Sequence, residues 1–432
     1  MSGQGSVQTI AARWLFPVEG DPLADACIDF RQGEILAIGP SRGRMIDIDY
    51  GNSAIIPGLV NAHCHLELAP LDDDNWQEAD GHEDELKWLR RVVRQRWTTD
   101  PDSYAENAAT HCQELIAAGT TLVADITTAG ASGPALVDAA IRSVIYAEVI
   151  GLKRMRAMTM NEAAWAWINT VDPVLKRDVK ADGSFRQRIG ISPHAPYSTA
   201  GWLYHQSVTS GLPLTTHLAE MPCEEELLRD GTGPLRDFLD DLGAWPDDDE
   251  WAPLGHKPLD YIRQRELRGA DWLLAHCNYL DEQDLWKLSP AAWKNDQRLA
   301  VAYCPRTSYR FGHMQNPYRK LLERGAIVCM GTDSRASSPS LSVLDEMRFL
   351  HKMDSDLPPR LILAMGTLFG AWALRADGFA GSLKAGKKAD LAVVGLPWRE
   401  LSGNEDPAAL VLDSEEPVAA TWLEGEMVFR SS

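Results

Sequence analysis

His63-Cys64-His65 is where residue types and spacing most plainly offer chemistry. Side chains alternate faces along a strand, so residues two apart point the same way, and both imidazoles could reach one metal ion. Taken alone, such a pair is as readily two surface histidines met by chance. Three more polar residues close short apolar runs: His217 ends PLTTH, His276 ends DWLLAH and Asp333 ends AIVCMGTD. A single strand-end histidine is usually a satisfied structural residue. Four polar strand ends at matched positions resist that explanation, because burying them unpaired costs several kcal/mol each. Zinc, or another divalent metal that accepts imidazole and carboxylate, satisfies three His and one Asp. Such a cation brings the pKa of water from ~15.7 toward ~7, which is the chemistry of hydrolysis at neutral pH. Glu220 follows His217 by three residues, where a carboxylate can exchange protons with that water. The competing reading is a helix-surface carboxylate, since AEMPCEEELL (219–228) is acidic and resembles the opening of a helix.

These residues need strands to carry them. From Ala54 onward, apolar runs alternate with longer amphipathic segments: 54–60, 120–126, 143–149, 187–192, 213–217, 271–276, 299–304 and 326–333. Runs this short and continuously apolar suit parallel strands covered on both faces. Between them lie helical patterns such as SYAENAATHCQELIAAG (103–119), ending at Gly119. Eight alternations are what a (β/α)8 TIM barrel requires, with its active site at the C-terminal strand ends. Periodicity alone does not separate that barrel from an open doubly wound sheet. Residues 7–56 and the last fifty residues instead read as short alternating strands with turns. The expected α/β organisation is a barrel over 58–378, with 1–57 and 379–432 joining in one small β-sandwich. The acidic stretches 71–85 and 237–251 read as solvated loops or lids.

Composition narrows the partners. The 432 residues include 42 Lys+Arg against 62 Asp+Glu, a net charge of −20, which argues against nucleic acid or an anionic membrane and leaves a small molecule as the expected partner. The longest apolar stretch, Leu361–Leu374, falls short of a membrane-spanning helix, and the first residues lack a signal-peptide pattern. Seven scattered cysteines, never spaced C-x-x-C, fit free thiols in a reducing compartment, so a cytoplasmic protein is expected, monomeric or homo-oligomeric. No H-E-x-x-H, G-x-S-x-G or Walker motif occurs, and His65-Leu66-Glu67 lacks the P-C-x-x-C partner that an H-x-E zinc motif requires.

PGLVNAHCHLE, THLAE, AHCNYL, CPRTSYRFGH and GTDS, in this order, resemble the amidohydrolase superfamily, in its cytosine-deaminase and triazine-hydrolase-like branch. GTLFGAWALRAD, GSLKAGKKADLAVV and the β-rich ends extend the likeness over nearly the whole chain. The resemblance implies a distorted barrel with a sandwich, and one metal ion held by His63, His65, His217 and Asp333. The ion is expected to be zinc, with iron or manganese as alternatives. It also implies that Glu220 shuttles protons, that His276 polarises the reacting centre and that His194, in SPHAPYS, contacts substrate. The fourth strand, RQRIGISPHAPYS, lacks the bridging lysine of binuclear members, which favours a single metal and aromatic-amine deamination. The segments HLEL and ELKWL, the acidic helix after THLAE, and HKPLDYI are most similar to aminodeoxyfutalosine deaminases of menaquinone synthesis. Glu67, in HLEL, joins the expected substrate-binding set, as does His313, which stands with Arg306, Arg310 and Arg335 on loops leaving the C-terminal strand ends.

Two departures touch the substrate loops. Cys304-Pro305 is followed by RTSYRFGH where Ser-Asn is usual, and HLELAPLDDD replaces a Met-Leu-Leu-Arg-Gly-like segment. Arg306 stands at the first departure, and an arginine fork suits a carboxylate, so Arg306 is expected to anchor a distal carboxylate of a purine-like substrate. Arg310 and Arg335 are as readily expected to pair with local acids as to face the substrate. Triazine-type chlorohydrolase or aminohydrolase activity, another C–N hydrolysis, or an inactive scaffold are the rival readings.

Overall fold

The computed structural model describes residues 6–71, 83–175, 179–246, 255–264, 270–292 and 297–431. Its strands fall into two eight-stranded sheets. The first collects both ends of the chain: β1 (Gln8–Leu15), β2 (Leu23–Arg31), β3 (Glu34–Pro40), β4 (Ile48–Asp49) and β5 (Ser53–Pro57), then β14 (Leu391–Gly395), β15 (Val418–Leu423) and β16 (Glu426–Arg430). The order is β16-β15-β14-β5-β1-β2-β3, with β4 paired to β1. The sheet curls so that its two outermost hairpin turns meet. Gln32-Gly33 and Glu424-Gly425 both have positive φ, and a Cβ on Gly33 would stand 2.7 Å from the Glu424 carbonyl oxygen. Ile10, Ile28, Phe30, Ile55, Val393 and Trp422 fill the enclosed core.

The second sheet runs in sequence order through β6 (Leu59–Cys64), β7 (Thr120–Thr127), β8 (Arg142–Val149), β9 (Gln187–Pro193), β10 (Leu214–Leu218), β11 (Trp272–His276), β12 (Leu299–Tyr303) and β13 (Ile327–Met330). All seven neighbouring pairs are parallel. One parallel bridge, Cys64 with Asp333, joins the last strand's extension to the first and closes a distorted barrel. The apolar run expected over 54–60 is two strands. Residues 53–57 pair with β14 in the first sheet, and 59–64 pair with β7 in the barrel.

Alternation sorts the barrel side chains. Val60, Ala62, Leu122, Ala124, Val144, Tyr146, Leu273 and Ala302 form one cluster that joins strands from around the ring, and so fills the interior. Val123, Ile145, Ile189, Leu274 and Val301 face outward, in a second cluster with Leu115 and Ile116 of the helix Pro101–Ala117. At the barrel's N-terminal end Arg142 opens β8 and ties the two sheets together. Its Nε lies 2.7 Å from Asp390 and its Nη2 lies 2.9 Å from Glu424. Among the described residues no helix is long and apolar enough to cross a membrane.

Candidate metal centre

The strand ends aim their side chains through three local departures from regular geometry. In β6, Val60 and Ala62 belong to the interior cluster whereas Cys64 and Leu66 belong to the outer one. Strict alternation would therefore turn His63 outward. The β6–β7 register shifts between Asn61 and Cys64, a bulge that puts His63 and His65 on the interior side. In β11, Leu273 faces inward, so alternation would send His276 out; left-handed backbone at His276 (φ 67°) and Cys277 (φ 54°) turns its ring back among the others. Asp333 is also left-handed (φ 57°), held where Thr332 and Asp333 donate their N–H groups to the His63 carbonyl at 3.0 and 3.1 Å. Non-glycine residues in this region cost about 1–3 kcal/mol each, and such strain clusters at functional sites.

The four expected ligands converge. His65 Nε2 lies 3.2 Å from His217 Nε2, and Asp333 Oδ1 lies 3.8 Å from His63 Nε2 and 3.7 Å from His65 Nε2. His217 Nδ1 donates to the His194 carbonyl at 2.9 Å, which leaves its Nε2 lone pair facing the centre. Asp333 accepts a hydrogen bond from Ser337 Oγ at 2.6 Å. Yet both ring nitrogens of His63 and Nδ1 of His65 and of His276 are buried without a hydrogen-bond partner among the described residues. Burial depresses the His63, His65 and His276 imidazoles well below their usual pKa, and His217 to about 4, so all four are neutral at pH 7. Neutral, unpartnered imidazoles facing a carboxylate are the donor set of a divalent cation of borderline softness. The residues fit a metal ion.

Beside them, Glu220 Oε1 lies 3.2 Å from His276 Nε2, and Glu220, His276 and Asp333 form a second convergent group. Burial first, and then the charges of Glu85, Asp333 and Glu224, push the Glu220 carboxyl well above the ordinary range. Its loop is pinned by Glu224, whose carboxylate accepts N–H bonds from Ala219, Glu220 and Met221 at 2.7–3.0 Å. Such a carboxyl, beside a histidine and a metal-competent cluster, can take up and return protons.

The expected substrate residues fare differently. His194 stacks at a tilt against His217, 4.8 Å between ring centroids, with Nδ1 on Ser198 Oγ and its ring only half-buried. His313 contacts Tyr279 through Nδ1 at 2.9 Å and Glu85 through Nε2 at 3.0 Å. Glu67 makes no hydrogen bond or ion pair to the clustered histidines among the described residues. Its carboxylate accepts from Thr127 Oγ1 and the Thr128 N–H, and so fastens the end of β7. Arg306 also requires correction, because its guanidinium is already spent. Nε is bound to buried Glu346 at 2.7 Å, Nη1 to Ser340 Oγ, and Nη2 to the carbonyls of Ser340 and Ser342. It stiffens the loop after β13 and presents no fork to a ligand. Arg310 pairs with Glu83, and Arg335 with Glu114 and the Ser338 carbonyl.

Two carboxylates escaped the sequence reading. Glu85 begins the helix Glu85–Thr98, yet its side chain is only 9% exposed, beside His313 and acting on Glu220. It ends the acidic run 71–85, where burial carries no sequence signal; residues 72–82 of that run, and 247–251 of the second acidic stretch, lie outside the described residues. Glu148 is buried near the end of β8, on the interior parity of Val144 and Tyr146, and that alternation was the available signal.

Residues 54–428 match the Amidohydrolase family. The 5-methylthioadenosine/S-adenosylhomocysteine deaminase of Syntrophobacter fumaroxidans is 27% identical over 87% of this chain and 80% of its own length. Among solved structures, a zinc-bound adenosine deaminase from Xanthomonas campestris superposes with a TM-score of 0.78 at 20% identity, covering 97% of this chain and 92% of its own. The Helicobacter pylori aminofutalosine deaminase complexed with methylthio-coformycin also gives 0.78 at 20% identity, covering 98% of this chain and 100% of its own. With its bulge-aimed H-x-H pair inside the matched span, the chain belongs to the amidohydrolase family.

Proposed function

We propose that this chain is a metal-dependent hydrolytic deaminase that removes ammonia from an aminated purine-like heterocycle. One observation carries the reading: four metal-competent side chains and a proton-exchanging carboxyl meet at one end of the barrel, with Glu220 3.2 Å from His276. The deaminase names of the relatives support it. His63, His65, His217 and Asp333 would hold the cation, with zinc our assignment because the donors are imidazole and carboxylate. When bound, such an ion polarises water and lowers its pKa toward ~7.

The chain's own residues do the rest. Glu220 accepts a proton from the attacking water and gives it to a ring nitrogen; it then takes the second proton from the new hydroxyl and passes it to the amine, so that the C–N bond breaks and ammonia leaves as the carbonyl forms. Its raised pKa suits a group that must be both acid and base near neutrality. His276 orients the attacking water through the face it turns to Glu220. His194, half-buried beside His217, contacts the ring, and His313 with Glu85 walls the adjoining side. A distal carboxylate on the substrate remains part of the proposal from the aminodeoxyfutalosine likeness, without Arg306 as its anchor.

Ammonia release is the test, with zinc-loaded protein offered adenosine, 5-methylthioadenosine, S-adenosylhomocysteine, aminodeoxyfutalosine, cytosine and an aminotriazine. Turnover of one or more purine nucleosides at least a hundredfold above cytosine and the triazine is expected. Release only from the triazine, or from none, would overturn the reading.

A further inference from the structure

A cavity of about 420 Å3 opens at the other end of the barrel, against the sandwich. Four cations line it, Arg31, Lys180, Arg186 and Lys388, against two acids, Glu424 and Glu426. In a chain of net charge −20 that is a local reversal of sign. Lys180 is paired with Glu424 at 2.9 Å and Lys388 with Asp182 at 2.7 Å. Arg31 and Arg186 have no carboxylate within ion-pair distance among the described residues. Arg186 precedes β9 and is half-buried; the bond found for its guanidinium is a long one, 3.4 Å, to the Ala139 carbonyl.

Arg186 is therefore an under-satisfied cation in a partly dry place. Burial, and next the charge of neighbouring Arg142, pull its pKa down from the ordinary value, although a guanidinium does not give up its proton in proteins. Of the acids close by, Glu424 is shared by Arg142 and Lys180 and Asp390 is held by Arg142, while exposed Glu426 acts on Arg186 only by its charge, beyond ion-pair distance. What would relieve Arg186 is an anion from solution. Phe30, Leu423 and Val428 supply apolar wall, and the volume is that of a small-molecule pocket, well beyond a bare inorganic ion.

We propose that this cavity is a second binding site, for a small anion with an apolar ring and a phosphate or carboxylate, in which Arg186 and Arg31 hold the anionic group. It stands apart from the histidine cluster, because its lining precedes β8 and β9 whereas the cluster follows the strand ends. The site is independent of the deaminase reading.

Calorimetric titration of the full-length zinc-loaded protein tests it, with phenyl phosphate, benzoate, inorganic phosphate and uncharged phenol as probes. The expected result is saturable binding of phenyl phosphate or benzoate, the tighter one naming the anionic group, with inorganic phosphate and phenol each at least tenfold weaker. Arg186→Gln should weaken that binding tenfold or more, raised salt should weaken it too, and ammonia release should stay unchanged. Exposed Arg31→Gln serves as the second variant if Arg186→Gln unfolds, with a loss of at least threefold expected. Affinity for the aromatic anions that is unchanged in the variants, no saturable binding by either aromatic anion, or inorganic phosphate binding as tightly as phenyl phosphate would overturn the proposal.

Discussion

At the N-terminal end of the barrel, the Arg142 side chain is 1% exposed and each guanidinium nitrogen has an acceptor. Nε is on Asp390, Nη1 on the Phe185 carbonyl and Nη2 on Glu424. At the C-terminal mouth the His63 side chain is equally buried, and neither of its ring nitrogens has a partner among the described residues. Desolvation is comparable at the two ends, but only one repays it from within the chain. A buried polar network that is complete stabilises the fold, and one left open among neutral imidazoles is stabilised only when something else arrives. Completeness of partnering, more than depth, separates the structural ionisable groups here from the candidate catalytic ones.

The largest effect that could break this contrast is at the mouth. His63→Ala or Asp333→Ala should abolish ammonia release, while thermal unfolding of the metal-free variant stays within a few degrees of metal-free wild type. A large drop in metal-free stability would mean that the mouth histidines are structural after all.

Next in size is Glu220→Gln, expected to cost about 10²–10⁴-fold in turnover with metal content intact, the range of a general acid–base group. A loss under tenfold in steady-state ammonia release would remove Glu220 from proton transfer. His276→Asn should also lower turnover without emptying the metal site, and wild-type rates would dismiss it.

The opposite end should answer in stability. Arg142→Met leaves Asp390 buried without its cation, and breaking such a pair costs roughly 3–5 kcal/mol. Denaturant unfolding should register that loss, while activity per folded molecule at a permissive temperature is retained. Unchanged stability would erase the distinction between the two ends.

The smallest effect concerns acid. Burial raises the Glu424 carboxyl, but the hydrogen bond from Lys180 and the charge of Arg142 outweigh it and hold the group at about 2. A depressed folded-state pKa gives stability that is fully present above the unfolded value near 4.5 and is lost as pH falls from there toward 2. Denaturation midpoints at pH 5 and pH 3 should therefore fall further for wild type than for Glu424→Gln; equal falls would contradict the pairing.

How much of this was legible without coordinates depended on whether the signal was periodic. Eight apolar runs announced the barrel, and polar residues at their ends announced His63, His65, His217, His276 and Asp333. The bulge and left-handed residues that aim His63 and His276 leave no mark in composition, because any residue can be strained by its neighbours. AIIPGLV hid a change of sheet at Gly58, since two buried strands in a row read as one apolar run. Arg306 was misread for a related reason. A cation beside a catalytic strand looks free until the carboxylate that takes it is seen, and Glu346 lies 40 residues away on the helix Val343–Met353. Long-range pairing of charges is what a single sequence hides best.

Zinc titration calorimetry on metal-stripped protein tests the central claim most directly. Wild type and Glu220→Gln should each bind one equivalent tightly, and Asp333→Ala should bind at least a hundredfold more weakly. Wild type that takes up no zinc, or Asp333→Ala that binds it as wild type does, would contradict the account of the mouth as an open metal site.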